Sequence, residues 1–459
     1  MLSSILSTFA NCFKVPELAS RIRFTVFVLM ICRLVALVPI PGLDGGALSE
    51  FFRENAKSTG SVMGLFNMFT GGAFSKCSIG ALGIMPYISA TIIIQLMSAV
   101  LPGLSKLARE EGGRTKIVQY GRYLTVILCI GQGFVMTLGW EHPERVFGPG
   151  ISNIVMTENV LWYRLQTVVI LTTGTLLLMW LGEQITDRGI GNGISLVITV
   201  GILSGLPFAL SRLYTQVFPP SEAVEAALSP PVLFVLIALL IFVVGGVIAV
   251  TQAQRKVPVQ HAQRAVGRKI YSGGSSFMPL RVNYAGVMPI IFAQAILMFP
   301  EKIFMTLGSV TEVSVFTEIG RLLTPGSLLY LLTYAGMILF FSYFWVATQF
   351  NEIQIADDLK KSGGYIPGVR PGQETTKFLH RTMSRITFAG AIFLTIIAII
   401  PDIMNRALGV DYYVGTFFGG TSILIIVGVL LDTMRQVESH LMMRHYDGFL
   451  KKGRIKGRL

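Results

Sequence analysis

The chain has 459 residues, of which 52% are hydrophobic and 14% charged, and its formal net charge is +13. A mean hydropathy of +0.63 excludes an ordinary soluble globular protein and a disordered one, because neither class carries so much apolar sequence. The composition therefore predicts an integral membrane protein.

Apolar runs of about twenty residues, the length that crosses a bilayer core, recur along the chain. We predict ten spans, near residues 24–40, 79–101, 123–140, 161–181, 193–210, 232–250, 287–304, 328–347, 386–400 and 417–431. An even number of spans places both termini on one side of the membrane. The predicted fold class is therefore an all-α integral membrane protein with ten transmembrane helices.

The second span follows a short amphipathic piece, residues 62–69, which breaks at Thr70-Gly71-Gly72. A half-length, broken helix rarely faces lipid, because its freed backbone groups need protein or water as partners. Asn67 and Lys76 suit a water-filled funnel better than hydrocarbon. The pattern predicts a plug or re-entrant element over about residues 62–75, and with it a cavity or pore.

Basic residues predict the orientation of the chain. Most of the 38 Lys and Arg residues fall in loops on the same side as the amino terminus, and such loops stay cytoplasmic. Both termini are therefore expected in the cytoplasm. The first span runs into Pro39-Ile40-Pro41-Gly42 without a small-residue cleavage site, so we expect it to be retained. Arg33 is the clear charge within a span; it is a functional candidate by default, with snorkelling or pairing between the two halves as the structural alternative.

Counting spans divides the chain into two halves. Five spans in each half give the halves opposite topology, which is the arrangement of inverted repeats. The expected organisation is an amino-terminal half over residues 1–215, a carboxy-terminal half over 216–437 and a basic cytoplasmic tail over 438–459. The four cysteines show no paired spacing, so we expect free thiols and neither a disulfide framework nor a metal site.

The sequence also predicts two long cytoplasmic loops, about residues 252–285 and 351–384. Residues 257–260 and 281–283 alternate like the strands of a hairpin, and a Pro/Gly-rich tip presents Arg370 on a stiff turn. Two structured basic loops predict a docking platform, although each charge alone is also explained by topology. The candidate docking residues are Arg255, Lys256, Arg264, Arg268, Lys269, Lys360, Lys361 and Arg370.

Several separated motifs carry a family resemblance. They are residues 39–42, 66–72, 81–89, 180–195, 283–289, 356–363, 367–372 and 419–422. Over nearly its whole length the chain resembles the SecY family, the channel-forming subunits of the bacterial preprotein translocase. The resemblance implies an hourglass pore that conducts unfolded secretory polypeptides and releases membrane-protein segments sideways into lipid.

The resemblance also implies which residues close the pore. A ring of isoleucines at the waist corresponds to Ile84, Ile88, Ile194, Ile198, Ile291 and Ile425, and the plug to Phe66, Asn67, Met68, Phe69, Gly71 and Gly72. Within the pairs Ile84/Ile88 and Ile194/Ile198 a spacing of four puts both side chains on one helical face. Branched apolar side chains can leave a narrow, dry constriction that resists ions. Ordinary helix packing is the alternative for each isoleucine.

A lateral gate between spans two and three and spans seven and eight is a further implication of the resemblance. Its candidates are Ser89, Thr91, Gln95 and Gln294, since uncharged polar residues hydrogen-bond across helix interfaces. The alternative for Ser89 and Thr91 is a hydrogen bond to their own helix backbone.

The partners implied by the resemblance are SecE, SecG, the ATPase SecA, the ribosome, signal peptides, unfolded polypeptides and membrane lipids, in the bacterial cytoplasmic (inner) membrane. The chain itself would be a passive channel, with no cofactor and no catalytic residue, because SecA hydrolyses the ATP. His261, Gln263 and Phe277 depart from the family pattern in the first loop. A basic surface also favours ribosomal RNA through counterion release.

Two other functions remain open from the sequence alone. A secondary transporter of a small solute would need paired carboxylates or a polar site near the bilayer midplane, and the spans show no convincing acidic residue near their centres. A purely structural membrane scaffold is disfavoured by the predicted plug and the apolar waist.

Overall fold

The computed structural model describes residues 15–54, 62–110, 112–144, 151, 154–157, 159–218, 230–261, 264–266, 269–271, 274–311, 314–324, 327–410 and 412–452. These residues are mostly helical and form two compact units, Met1–Thr215 with Ile425–Leu459, and Gln216–Leu424. The grouping differs from the two expected halves in one respect, since the chain beyond Leu424 clusters with the first unit.

The described residues before position 218 contain eight helices. They are α1 (Pro16–Val35), α2 (Gly45–Glu54), α3 (Val62–Phe69), α4 (Met85–Val100), α5 (Pro102–Arg109), α6 (Gly113–Glu141), α7 (Val160–Arg188) and α8 (Gly193–Val217). Local sequence explains several starts. Proline occupies the first turn of α1, α4 and α5, where its missing N–H costs nothing. The Asn159 side chain accepts a hydrogen bond from the Trp162 N–H at 3.3 Å and so begins α7.

The second unit contains α9 (Pro230–Gln252), α10 (Met288–Thr311), α11 (Ser314–Leu322), α12 (Leu328–Gln349), α13 (Glu352–Lys361), α14 (Gln373–Leu408) and α15 (Tyr412–Gly419). The last helix, α16 (Thr421–Lys452), begins at the end of this unit and continues in the first. Ser327 and Asn351 begin α12 and α13, because each side chain accepts the N–H of the residue three positions later.

Each predicted span contains a helix, so the helical membrane fold is confirmed. Seven of the helices, α6, α7, α8, α9, α12, α14 and α16, are long and apolar enough to cross a bilayer by length and composition, and α4 is a shorter apolar helix. The boundaries differ most at α4. It begins at Met85 and not near Ile79, because the chain turns through Gly83, whose φ of +59° favours glycine.

The carboxy-terminal helix is tied to the loop between α7 and α8 within the first unit. The Gly191 N–H donates to Oε1 of Gln436 at 2.8 Å, and the Ile190 N–H donates to the Thr25 hydroxyl at 3.0 Å. Leu18, Ile190 and Val437 form a small buried cluster beside these bonds. The loop is therefore held from α1 and from α16 together.

The strands of the second unit are β1 (Gln254–His261), β2 (Arg264–Val266), β3 (Lys269–Tyr271), β4 (Ser275–Arg281) and β5 (Gly364–Tyr365). β1 pairs antiparallel with β4, from Gln254 opposite Arg281 to Gln260 opposite Ser275, which confirms a strand pairing in this loop. The second strand covers Ser275–Arg281 and not residues 281–283 as predicted. On its other edge β1 pairs with β5, so the sheet order is β4-β1-β5. The two long loops therefore share one sheet, packed on a buried core that includes Val257, Leu280 and Ile366.

Candidate functional site

The broken segment after α3 is a compact, self-bonded turn. The Asn67 side-chain oxygen accepts the Ser75 N–H at 2.9 Å, and the Asn67 carbonyl accepts the Gly72 N–H at 2.8 Å. Gly71 and Gly72 adopt φ values of +66° and +82°, a backbone region that other residues rarely enter. These contacts explain why the helix ends at Phe69 and why the chain then reverses.

An aromatic cluster seats this segment inside the first unit. The Phe66 ring lies 5.3 Å from the Phe74 ring, edge to face, and Phe74 also contacts Phe52 of α2 and stacks on Trp140 of α6. Met68, Phe69 and Phe66 are buried. Edge-to-face and offset aromatic pairs add to the apolar burial, so this side of the plug segment is well packed.

The end of the plug segment is also held by two polar side chains. The Gly71 carbonyl accepts a hydrogen bond from Nη1 of Arg33 on α1 at 3.1 Å and one from the Ser204 hydroxyl on α8 at 3.3 Å. Gly201 of α8 lies close beside it, since a methyl group at Gly71 would stand 3.0 Å from the Gly201 Cα. The freed carbonyl thus finds protein partners on two long helices.

The predicted ring isoleucines of the first unit lie at the starts of three helices. Ile84 caps α4, and its carbonyl accepts the Ile88 N–H at 3.2 Å, so the two are one turn apart. Ile194 is half-buried in the first turn of α8, where a methyl group at Gly182 would meet its Cγ1 at 3.3 Å. Ile198 and Ile425 are buried.

In the second unit, Ile291 is buried at the start of α10, with 3% of its surface exposed. A ring that draws on both units stays a prediction, and so does the role of each isoleucine. The contact of Ile194 with α7 is what ordinary helix packing also requires.

The predicted gate residues have different partners. The Thr91 hydroxyl donates to the Tyr87 carbonyl of its own helix at 2.6 Å, which is the alternative that the sequence left open. Ser89 is buried and Gln95 half-buried. Gln294 donates through Nε2 to the Thr421 hydroxyl at 3.1 Å within the second unit, and its Oε1 has no partner among the described residues. Their part in a gate stays a prediction.

The candidate docking residues lie on the sheet shared by the two loops and beside it. Arg255 and Lys256 are exposed on β1, and Arg370 is exposed on the turn between β5 and α14. That turn is closed by the Thr375 hydroxyl, which donates to the Arg370 carbonyl at 2.9 Å. Lys360 and Lys361 are exposed at the end of α13.

Some of the predicted docking residues are described in part or not at all. Arg264 and Lys269 are described as backbone of the β2–β3 hairpin, whereas Arg268 and Gln263 lie outside the described residues. The two other departures from the family pattern are placed: His261 contacts the Ser276 hydroxyl at 3.1 Å, and Phe277 is 63% exposed on β4.

Two features were missed by the sequence reasoning. The first is the partner of Arg33, because nothing in the order of residues links it to Gly71. The second is Asp402, which is 3% exposed on α14 and whose Oδ1 has no partner in the described part of the chain. Its signal was an acidic residue directly after an apolar run and Pro401. Among the described residues no group of three or more His, Cys, Asp or Glu could hold a metal ion.

Comparison with known proteins gives consistent matches. The profile of the SecY family matches residues 78–434. "Protein translocase subunit SecY" of Chlamydia muridarum (strain MoPn / Nigg) is 42% identical over 460 residues, which cover 99% of this chain and 100% of the relative. The protein of the same description from Escherichia coli (strain K12) is 43% identical over 442 residues, 96% of each chain.

Solved structures match the fold at lower identity. One described as "The structure of a protein conducting channel" has a TM-score of 0.59 and 16% identity, with 91% of each chain covered. "Sec61 in the Canine ribosome-channel complex from the endoplasmic reticulum" has a TM-score of 0.57 and 17% identity, again over 91% of each chain. At this identity the structural matches establish a shared fold.

Proposed function

This chain belongs to the SecY family, and we propose that it is the channel subunit of a protein translocase, a pore that conducts unfolded polypeptides across a membrane and releases membrane-protein segments into lipid. Relatives that match over nearly the full length of this chain are named protein translocase subunits. The secondary-transporter alternative has no support from these relatives. Among the described residues Asp402 is the one buried carboxylate, whereas such a site would need a pair.

The observation that carries the proposal is the broken element between α3 and α4. A short helix that ends in a double-glycine turn is stable at membrane depth where protein or water satisfies its backbone. Here the turn bonds to itself through Asn67, and the Gly71 carbonyl finds donors on α1 and α8. Such an element can seal a pore at rest and leave without unfolding a spanning helix.

The constriction is proposed at the six isoleucines Ile84, Ile88, Ile194, Ile198, Ile291 and Ile425. Five of them are buried and Ile194 is half-buried, which is compatible with an apolar gasket. An apolar constriction offers a moving chain no hydrogen-bond partner to hold it, and it disfavours hydrated ions.

Lateral release is proposed through a gate that includes Ser89, Thr91, Gln95 and Gln294. Gln294 is the residue best suited to a switch, because its amide is buried and bonds through Nε2 to the Thr421 hydroxyl. An amide held at one end can exchange partners at a cost of about 1 kcal/mol.

Docking of driving partners is proposed on the sheet β4-β1-β5 and its basic rim. The two loops contribute adjacent strands, so Arg255 and Lys256 on β1 and Arg370 beyond β5 belong to one structured surface. We assign SecA and the ribosome to this surface. SecE and SecG are proposed as small membrane partners, and signal peptides, unfolded polypeptides and lipids as the ligands of the pore and gate.

The proposed location is the bacterial inner membrane, with both termini in the cytoplasm and two inverted halves over residues 1–215 and 216–437. The energy for transport would come from ATP hydrolysis by SecA or from elongation on the ribosome, so the chain itself would not be an enzyme. This orientation is supported by the Lys and Arg residues, most of which fall in loops on the same side of the membrane as the amino terminus.

A crosslinking assay tests the function. The chain is reconstituted with SecE, SecG and SecA in proteoliposomes, with its four native cysteines replaced and with Ile84→Cys, Ile194→Cys or Ile291→Cys introduced. An arrested secretory precursor should be trapped at all three positions in an ATP-dependent way. Val169→Cys is the comparison position, because Val169 lies on α7, which carries none of the proposed ring isoleucines, and should not trap the precursor.

The outcomes separate the parts of the proposal. ATP-dependent trapping at the three isoleucines and not at Val169 supports a protein-conducting channel with its constriction there. Precursor transport into the vesicles without trapping at these positions would remove the ring assignment and keep the channel. No transport by the assembled complex would count against the function itself.

A further inference from the structure

Arg33 is a charged residue near the end of α1, and its surroundings are unusual for a membrane arginine. Its side chain is half-buried, and no ion pair in the described part of the chain includes it. By contrast, Arg122 on α6 and Arg164 on α7 each make two hydrogen bonds to a glutamate. Arg33 instead donates to a backbone carbonyl, that of Gly71.

The position of that carbonyl gives the contact its meaning. Gly71 lies just beyond the carboxy-terminal end of α3, where the aligned peptide dipoles leave partial negative charge. A guanidinium placed there is favoured both by this charge and by the 3.1 Å hydrogen bond. Snorkelling to the membrane surface does not explain the hydrogen bond to the Gly71 carbonyl, because the donor nitrogen is directed at the plug segment.

A second donor reaches the same oxygen from another helix. The Ser204 hydroxyl of α8 has one hydrogen, which lies between two carbonyl oxygens: that of Gly201 on its own helix at 2.6 Å and that of Gly71 at 3.3 Å. The bond to Gly71 is therefore the longer and weaker arm of a shared hydrogen bond that links the plug segment to α8. A methyl group at Gly71 would collide with Nη1 of Arg33, so a side chain at this position would displace the guanidinium. The plug therefore ends in a socket built from α1 and α8.

We propose that Arg33 is a positioning residue that latches the plug in its closed seat, with Ser204 as the neutral second donor. Opening then requires that both donors leave the Gly71 carbonyl and find water or the passing polypeptide instead. The inference rests on the proposed channel function, since a latch has a measurable effect only where the plug seals a pore.

The test is the ion leak of the resting channel. Complexes with SecE and SecG that carry Arg33→Gln or Ser204→Ala are placed in planar bilayers without precursor. Loss of a charge-assisted hydrogen bond should raise the open fraction at rest about tenfold for Arg33→Gln. Ser204→Ala should shift the leak in the same direction by less, about threefold, because its bond is neutral. Arg212→Gln is the control for lost charge elsewhere on α8, since the Arg212 guanidinium lies 4.9 Å from the centre of the Phe208 ring.

A change of charge in the pore also alters ion flow, and Arg33→Lys separates the two causes. A lysine keeps the charge and loses the planar fork of donors, so the latch predicts an intermediate leak. If Arg33→Gln leaks while Arg33→Lys and Ser204→Ala both stay as tight as the wild type, the effect is electrostatic and the latch is wrong. If none of the three variants leaks, the latch is also wrong.

Transport by the same complexes distinguishes a latch from general damage. With SecA and ATP the variants should still transport a normal precursor and should accept one with a defective signal sequence better than the wild type does. A variant that loses both activities is damaged, in which case Ser204→Ala and Arg33→Lys decide the outcome. If the wild-type complex itself fails to transport, the proposed function fails independently of the latch.

Discussion

The guanidinium of Arg164 on α7 donates two parallel hydrogen bonds to the carboxylate of Glu141 on α6, from Nε and Nη2, and both N–O distances are 2.9 Å. Near the other end of the same helix pair, Arg122 on α6 makes two hydrogen bonds to Glu183 on α7, at 3.1 and 2.8 Å. Two paired forks at opposite ends fix both the register and the separation of α6 and α7. We infer that these two helices move as one body.

The first prediction concerns the Arg164–Glu141 pair. Glu141 is only 15% exposed as a side chain, so Arg164→Met leaves a poorly hydrated carboxylate and should lower the free energy of unfolding by about 2 kcal/mol. The double variant Arg164→Met, Glu141→Gln should recover about half of that loss. Denaturant or thermal unfolding in detergent, analysed as a double-mutant cycle, gives the coupling energy.

The exposed pair Arg321–Glu318 on α11 serves as the control for this cycle, since its side chains are 74% and 64% exposed. Its coupling energy should be close to zero, because solvent screens such a pair. Equal coupling energies at the two sites would show that the Arg164 pair adds no more than a surface contact.

The second prediction concerns Arg370. Its turn is closed by Thr375 and by the Val369 N–H, which donates to the Ile366 carbonyl at 3.0 Å, so the backbone that carries the exposed guanidinium is held in place. Arg370→Glu should weaken SecA binding about tenfold and reduce SecA-driven transport, because it reverses a charge on the proposed docking surface. Binding measured over a salt series should show a shallower salt dependence for the variant.

Lys377→Glu is the matched charge reversal nearby. Lys377 is 71% exposed as a side chain and pairs with Glu374 one turn earlier on α14, so its ammonium is not presented on the turn. SecA affinity should change less than twofold. Equal loss in both variants would mean that net charge, and not the geometry of the Arg370 turn, governs docking.

The sequence predicted the elements whose signals are local. Apolar runs of spanning length located the ten helices, alternation located strand β1, and Gly71-Gly72 located the break after α3. Arg33 was recognised as an intramembrane charge. These features depend on neighbours along the chain, which a single sequence displays.

Long-range pairings were beyond the reach of the sequence. The hydrogen bond of Arg33 to Gly71 joins residues 38 positions apart, and β5 joins β1 across more than a hundred residues. Such partners follow from how the helices pack, which no local spacing encodes. The start of α4 at Met85 was missed for a different reason, because Ile79 to Ile84 is apolar enough to read as helix although glycines turn it.

The third prediction concerns the apolar waist. Replacing Ile291 or Ile425 with Asn places an amide at a proposed gasket position, which should admit water and loosen the closed state. Transport of a precursor with a defective signal sequence should rise several-fold, which corresponds to a decrease of about 1 kcal/mol in the free energy that favours the closed over the open channel. The measurement is the ratio of defective to normal precursor transported by the same vesicles.

Ile290→Asn is the control for the waist. Ile290 is fully buried beside Ile291 on α10, but successive residues of a helix point about 100° apart. The asparagine at 290 should destabilise the protein without relaxing its selectivity. If Ile290→Asn relaxes selectivity as strongly as Ile291→Asn, the effect comes from general loosening of α10 and the ring assignment loses its support.

The last prediction concerns the Cys77 thiol in the segment that follows the plug turn. Its side chain is fully buried, and burial, with a smaller contribution from the nearby Asp44 carboxylate, raises the pKa of the thiol to about 12. Since the thiolate is the reactive form, the resting protein should react with a maleimide far more slowly than an exposed cysteine, by about a hundredfold or more. Raising the pH from 7 to 8 should therefore gain little absolute reactivity at Cys77.

Lys76→Cys supplies the exposed comparison, because Lys76 is the adjacent residue and is exposed. If the plug leaves its seat during transport, an arrested precursor should speed labelling of Cys77, located by mass spectrometry of the labelled peptide, and leave labelling at position 76 fast. The Ile40 N–H bonds to the Cys77 carbonyl at 2.9 Å, so this part of the segment is anchored to the chain after α1. If a trapped precursor leaves the labelling rate of Cys77 unchanged, any movement of the plug is limited to residues before this anchor. Fast labelling of Cys77 in the resting protein would contradict the closed position of the plug.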